Sequence, residues 1–390
     1  MASRLVVHIG PRKTGTTYLQ RVLQQLSPNL RQHGVLYPVD YRDQDDYNHV
    51  GAVTDLTHNE ESKETNRWTG KDGSGWTGLA RAVREWDGTV IISAEMIGGL
   101  RPPAARRMLD GLASPTVDVI ITMRDLGRIL PSSWQQHIRN THTQDYKAYL
   151  SRRSRERGTE SPRDMQPLWD TERHQTFWRS YAYGALVRRW QDLVGPEHVR
   201  VVTLPKPGAP SNLLWERFRT AVDAPGLPET PPRLPNFIAN VGSTRAEAIV
   251  LHAINVEAKR RGWNRKTTNE LQQRLLSGGF LDRPNRGAPL LLPSKYLARV
   301  QGWADVDIDD VHSTGVEVLG DLEDLRVPDS AAARRRAMPE EVAAAGAFAA
   351  ANAMEYEAEL IRRRNERAAR VTLPGRVLRR VRDRVRPRQL

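Results

Sequence analysis

The segment Gly10-Pro11-Arg12-Lys13-Thr14-Gly15-Thr16-Thr17 gathers two glycines, two cations and three hydroxyls into eight residues. It follows a short apolar run and opens a helical pattern. Backbone N–H groups at a helix N-terminus, reinforced by the helix dipole, favour an anion there. Gly10 and Gly15 let the chain wrap closely around phosphate oxygens. Thr14, Thr16 and Thr17 add hydroxyl donors, and Arg12 and Lys13 add positive charge. The chemistry is that of a phosphate cradle. The place of the lysine narrows its kind. A Walker-type loop reads GxxxxGK[ST], with lysine directly after the second glycine. Here Thr16 stands in that place, and Lys13 lies two residues before Gly15. That argues against a magnesium-dependent ATP or GTP hydrolase.

Two further polar features follow strand-like runs. Val117–Met123 ends at Arg124-Asp125, and eight residues beyond Arg124 stands Ser132, with Ser133 beside it. A phosphomonoester dianion calls for a guanidinium fork plus hydroxyl or backbone donors. Glu95 stands just past Thr89–Ser93, and ligands of open α/β sheets gather along the carboxyl edge of the strands.

The pattern Pro-x-Lys-Thr-Gly-Thr-Thr at 11–17 resembles the 5′-phosphosulfate loop of sulfotransferases that use 3′-phosphoadenosine 5′-phosphosulfate (PAPS). The pieces HIGPRKTGTTYLQ at 8–20, VIISAE at 90–95 and TMRDLGRILPSSWQQ at 122–136 resemble in particular the sulfotransferase-like proteins of actinomycete type. Weaker pieces carry the resemblance over roughly residues 5–328: RRWQDLVGPEHVRVVTLP at 188–205, LLWERF at 213–218 and GVEVLGDLEDL at 315–325. It implies that Arg12, Lys13, Thr14, Gly15, Thr16 and Thr17 bind the 5′ end of the co-substrate. Arg124 and Ser132 would bind its 3′-phosphate. Lys13 would meet the bridging oxygen of the leaving phosphate. Several branches of the family use a glutamate as general base and others a histidine. Glu95 is the first choice here, and His49 in YNHVG, on an early loop, is the runner-up. Trp134 could border the acceptor pocket. The implied activity is sulfuryl transfer to a hydroxyl or amine of a small-molecule, carbohydrate or lipid acceptor, without a metal. The rivals are a nucleotide kinase-like enzyme on the same fold and a non-catalytic nucleotide-binding scaffold.

Elements must hold these residues together. Leu5–Ile9, Thr89–Ser93, Val117–Met123 and Val199–Thr203 are short, nearly continuous apolar runs, as in strands of a parallel sheet covered on both faces. Leu19, Val22, Leu23, Leu26 and Leu30 recur at helical spacing after the loop. Helical or loop segments separate the strands, as in repeated βαβ units. Phe177–Leu193, Ala246–Lys259 and Asn269–Leu276 read as helices, and Val316–Leu319 as a further strand. Residues 151–166, nearly devoid of apolar side chains, read as an exposed loop or lid. The Ser132–Ser133 pair could also cap a helix. The expected fold is α/β: a P-loop NTPase-like parallel sheet flanked by helices, with a helical basic C-terminal tail. The expected division is 1–328 for the α/β domain and 329–390 for an Ala/Arg-rich helical tail.

The chain has 390 residues, 39% hydrophobic and 27% charged, enough apolar material for a sizeable core. It has no cysteine, which excludes a disulfide framework, a thiolate zinc site and a cysteine nucleophile. Its ten histidines show no HExxH-like spacing. No apolar run approaches the roughly 18–20 residues of a membrane span. No apolar leader precedes the first strand, so a cytoplasmic location is expected. The net charge is +13, but residues 361–390 alone hold twelve arginines against two acids, Glu366 and Asp383. The body is therefore nearly neutral and the tail strongly basic. Leu373, Val377, Leu378, Val381 and Val385 fall near one helical face there, which suits peripheral contact with an anionic membrane. Neither aromatic interleaving nor a recognised module points to specific nucleic acid.

Overall fold

The structure, a computed structural model, describes residues 1–40, 42–43, 45–61, 75–158, 161–171, 177–234, 242–277, 280, 283, 285–333 and 338–384. Side chains within 57–61 and 369–384 lie outside the description. The chain packs as two compact units. The first comprises residues 1–134, 145–240 and 291–334; the second comprises 135–144, 241–290 and 335–390.

The first unit is built on a six-stranded, wholly parallel sheet: β1 (Arg4–His8), β2 (Val35–Leu36), β3 (Thr89–Ser93), β4 (Val117–Met123), β5 (Val199–Thr203) and β7 (Glu317–Leu319), in the order β2-β3-β1-β4-β5-β7. A separate two-stranded pair joins β6 (Leu292–Pro293) to β8 (Ala332–Ala333). Both faces of the main sheet are covered, which is why its strands lack polar alternation. On one face the helices Thr16–Gln32 and Leu213–Val222 pack Leu19, Leu23, Trp215 and Phe218 against Val6, Ile91, Ile120 and Val202. The helix Tyr183–Val194 packs on β4 and β5 and in turn meets the helix Ser294–Ser313. This is the expected α/β fold of a parallel sheet between helices, with a C-terminal helix.

The chain leaves β1 towards β2 and β3, but leaves β4 towards β5 and β7. Crossover direction therefore reverses between β1 and β4. The crevice at such a reversal, beyond the carboxyl ends of the strands, is where open α/β sheets bind ligands.

Three sequence readings are corrected. Residues 151–166 are not an open loop: Tyr146–Arg157 and Pro162–Thr171 are helices, with 159 and 160 outside the described residues. Charge, not apolar periodicity, supports the first of these. The Asp145 side chain caps it, accepting from the Ala148 N–H. Glu156 accepts from Arg152 at 2.7 Å and from Arg153 at 2.6 Å on the helix surface. Its last residue, Arg157, is buried in an ion pair with Asp307 at 2.8 Å. Secondly, Phe177–Leu193 is two helices, Phe177–Tyr181 and Tyr183–Val194, broken where Ala182 takes ψ 91°. Thirdly, Ser132 and Ser133 cap nothing. They lie inside the helix Leu126–Arg139, whose start is capped by the Asp125 carboxylate accepting from the Arg128 N–H at 2.9 Å.

The second unit centres on the helices Arg245–Arg260 and Arg265–Ser277. Thr244 and Glu247 form a reciprocal capping box at the start of the first. The 46-residue helix Pro339–Arg384 packs on both, burying Ala345 and Ala349. Arg274 lies 3.8 Å over the Tyr356 ring.

Candidate active site

Parallel pairing sets the site. β1 lies between β3 and β4, with His8 in register with Ser93 on one side and Ile120 on the other. The segments that follow these three strands, Gly10–Thr17, Glu95 and Arg124, are thereby delivered to one edge.

The loop after β1 is shaped by a close approach and by two left-handed residues. A Cβ at Gly10 would overlap the Thr122 hydroxyl of β4, so the loop can cross there only as glycine. Gly15 has φ 82° and caps the following helix, whose Tyr18 and Leu19 N–H groups both donate to its carbonyl. Lys13 also lies in the left-handed region, at φ 73°, where a non-glycine residue is strained. Left-handed residues interleaved in this way turn successive N–H groups inward as a concave anion nest. The first N–H groups of the helix Thr16–Gln32 lack intrahelical partners and face the same end.

The three threonines differ in use. The Thr14 hydroxyl is buried, donating to the Pro11 carbonyl at 2.6 Å and lying 2.7 Å from the Thr122 hydroxyl. It locks the loop onto β4, which leaves only its main chain to face an anion. The Thr16 hydroxyl donates to Glu95 Oε1 at 3.0 Å. A hydroxyl has one proton, so Thr16 can donate to a phosphate oxygen only by releasing Glu95. Thr17 is half-buried at the helix start, and Arg12 is exposed. Glu95, Lys13 and Arg124 are all partly buried.

Arg124 meets the loop directly. Its Nη1 donates to the Lys13 carbonyl at 3.0 Å. Its Nε is buried with no hydrogen-bond partner. The adjoining carboxylate, Asp125, is engaged by Arg128. Burial, and then the neighbouring Arg128 charge, lower the Arg124 pKa to about 10, against the opposing pull of Asp125. Such a cation gains from an incoming anion. Ser132 lies two turns along the helix Leu126–Arg139 and is half-buried.

Two tyrosines two positions apart hold both halves. The Tyr181 hydroxyl donates to the Arg12 carbonyl at 2.8 Å. The Tyr183 hydroxyl donates to the Arg124 carbonyl at 2.6 Å and accepts from the Arg124 N–H at 3.2 Å. Both rings are buried, and burial raises both phenol pKa values. Sequence reading treated this segment only as a helix. The i, i+2 tyrosine spacing was its sole local sign.

Beneath the loop runs a buried polar chain that sequence reading also missed. Gln20 Nε2 donates to Ser93 Oγ at 3.0 Å, and Ser93 Oγ lies 2.8 Å from His8 Nδ1. His8 Nε2 lies 3.2 Å from Thr122 Oγ1, which meets Thr14. Burial lowers the His8 pKa to about 3, so the ring is neutral and serves as a two-ended spacer between β3 and β4. His49 is also buried, and its Nδ1 accepts from the Ser93 N–H at 3.0 Å. Burial lowers its pKa to about 4. Its ring borders an open cleft of about 1130 Å3 lined by Tyr37, Val39, Asp46 and Leu79. Trp134 is core, lying against Tyr146 with ring centroids 4.9 Å apart. Among the described residues no group of three or more histidines and acids could hold a metal ion.

Fold and geometry together define an α/β protein with a strained, glycine-bounded loop at the β1–β4 reversal. No family model matches the chain, and no curated protein matches it. Among solved structures, a sulfotransferase from Alicyclobacillus acidocaldarius is similar to it. The identity is 18% and the TM-score 0.34, covering 69% of this chain and 98% of that one. The residues, rather than so distant a likeness, carry the functional reading.

Proposed function

We propose that the protein is a PAPS-dependent sulfotransferase, moving a sulfuryl group to a hydroxyl or amine. The observation that carries this reading is the bond from Arg124 to the Lys13 carbonyl. It brings the loop suited to a 5′-phosphosulfate and the arginine suited to a 3′-phosphate to one crevice. The buried, unpartnered Nε of Arg124 and the nest at Lys13–Thr17 fit the two anionic ends of an adenosine bisphosphate.

The residue roles follow from charge. The backbone of Lys13–Thr17 would cradle the 5′ oxygens, and Arg124 and Ser132 would hold the 3′-phosphate. In sulfuryl transfer the bond from sulfur to the bridging phosphate oxygen breaks as a bond from sulfur to the acceptor forms. Lys13 meets the negative charge growing on the departing oxygen. Glu95 takes the proton the acceptor loses. Once the Thr16 hydroxyl turns to a phosphate oxygen, both Glu95 oxygens are free for that task. His49 is the less suited base, because its Nδ1 is committed to β3 and its ring is buried.

The test has two parts. Calorimetric titration with adenosine 3′,5′-bisphosphate is expected to show one site per chain. A screen of hydroxyl and amine acceptors with labelled PAPS is expected to yield a product heavier by one SO3, with Glu95→Gln lowering kcat about 100-fold or more while nucleotide affinity is kept. Absence of nucleotide binding overturns the reading. Binding without turnover of any acceptor favours a nucleotide-binding scaffold.

A further inference from the structure

The helix Pro339–Arg384 changes character along its length. Up to Glu359 it makes packing contacts within the second unit, with Ala345 and Ala349 buried and Tyr356 under Arg274. From Leu360 to Ala368 every described residue is exposed, Ile361 to 52%. Yet the helix runs on to Arg384, so that 361–384 extend for about 36 Å at about 1.5 Å per residue. Glu359 pairs with Arg363 at 2.8 Å, marking the last acid of the docked part and the start of the basic part.

The composition of the extension is one-sided. Residues 361–384 hold ten arginines against Glu366 and Asp383. At 100° per residue, Leu373, Val377, Leu378 and Val381 occupy one half of the helical wheel. Arg376, Arg379, Arg380 and Arg382 occupy the other half. Pro374 removes one backbone donor, and the helix continues past it.

We infer that residues 371–384, a helix whose Leu/Val positions and four of whose five arginine positions fall on opposite halves of the wheel, are a docking surface that lies in the interface of an anionic lipid bilayer. Charge decides the occupant. A second copy of the chain would bring five more arginines alongside the five of 371–384, with a single acid, Asp383, on each to pair them. A nucleic acid would satisfy the arginines and leave the Leu/Val stripe in water. A bilayer with anionic headgroups satisfies both, and each element is the one such surface helices use. The inference does not depend on the sulfotransferase reading.

The test is co-sedimentation of the full-length protein with vesicles of phosphatidylcholine alone or mixed with phosphatidylglycerol. Binding is expected only to the mixed vesicles, weakening as salt is raised. V377D/V381D, which keeps every arginine, is expected to lower the partition coefficient at least about tenfold, as is R376Q/R379Q/R380Q, which keeps the stripe. Unaltered helical circular dichroism and melting temperature would show that both variants remain folded. Failure of the parent to bind mixed vesicles overturns the proposal, and so does full binding by V377D/V381D. Equal retention of the parent and V377D/V381D on duplex DNA, with neither on vesicles, would assign the surface to nucleic acid and also overturn it.

Discussion

Arg157 and Arg124 lie in the same unit and have opposite circumstances. Arg157 ends a surface helix yet is almost wholly buried, and Asp307 accepts both of its terminal nitrogens. Burial raises the Asp307 pKa to about 6 in spite of that partner, so the pair's attraction offsets only part of the cost of desolvation. Arg124 has no such carboxylate. Its neighbour Asp125 is held by Arg128, and its own guanidinium reaches a backbone carbonyl and leaves Nε unsatisfied. The first arrangement is closed and structural. The second is open, and an open buried cation is what an anion site requires before the anion arrives.

The comparison can be broken by measurement. Arg157→Ala strands a buried carboxylate, and is expected to lower unfolding free energy at pH 8 by about 3–5 kcal/mol. Arg124→Leu strands no charge and removes only the donor to the Lys13 carbonyl. It is expected to leave the urea midpoint within experimental error while weakening adenosine 3′,5′-bisphosphate about 100-fold in a calorimetric titration. An Arg124 variant that melts early but binds normally would reverse the roles assigned to the two arginines.

Acid should act through the histidines under the sheet. His8 and His49 have pKa values of about 3 and about 4 in the fold, below the ordinary 6.5. The unfolded chain therefore takes up protons first as pH falls. Their contribution is complete above pH 6.5 and is lost as pH drops from there towards 4 for His49 and towards 3 for His8. At pH 5 the loss is about 2 kcal/mol for each ring. Melting curves at pH 7 and pH 5 are expected to show the decline, and His49→Gln to remove about half of it. A slope unchanged in that variant would mean that His49 titrates normally.

The smallest effect sharpens the anion side. Tyr183→Phe removes one hydroxyl from the Arg124 main chain without touching its guanidinium. Affinity for adenosine 3′,5′-bisphosphate is expected to fall about fivefold, and affinity for adenosine 5′-monophosphate to stay the same. Equal losses for both nucleotides would mean that the tyrosine steadies the whole crevice rather than the arginine.

The strands after which the site is built were legible because their signal is local. Thr89–Ser93, Val117–Met123 and Val199–Thr203 are found at the boundaries their apolar runs suggest. β1 is displaced by one residue, and β7 starts one residue later than its run and ends with it. The loop was legible for the same reason, since its glycines, cations and hydroxyls are contiguous. The helix Tyr146–Arg157 was not, because its buried apolar residues, Tyr149 and Leu150, are confined to its first half, and beyond them it is held by ion pairs and the buried Arg157. The tyrosine clamp and the His8 chain join residues between 59 and 169 positions apart, or side chains on three strands. No spacing rule reaches that far. Two-residue β2 gave no pattern to read.

The twisted backbone at Lys13 sets a limit on what may occupy that position. Glycine would relax the strain there but would carry no ammonium. An uncharged non-glycine side chain would bear the same steric burden without a cation, and arginine would keep the charge in a broader, planar form. The carbonyl of this one peptide is also the one Arg124 grips, so a flip that eased the backbone would let go of the arginine as well. Conformational tension, positive charge and the tie to the segment after β4 thus converge on one residue, two of them through its main chain and one through its side chain.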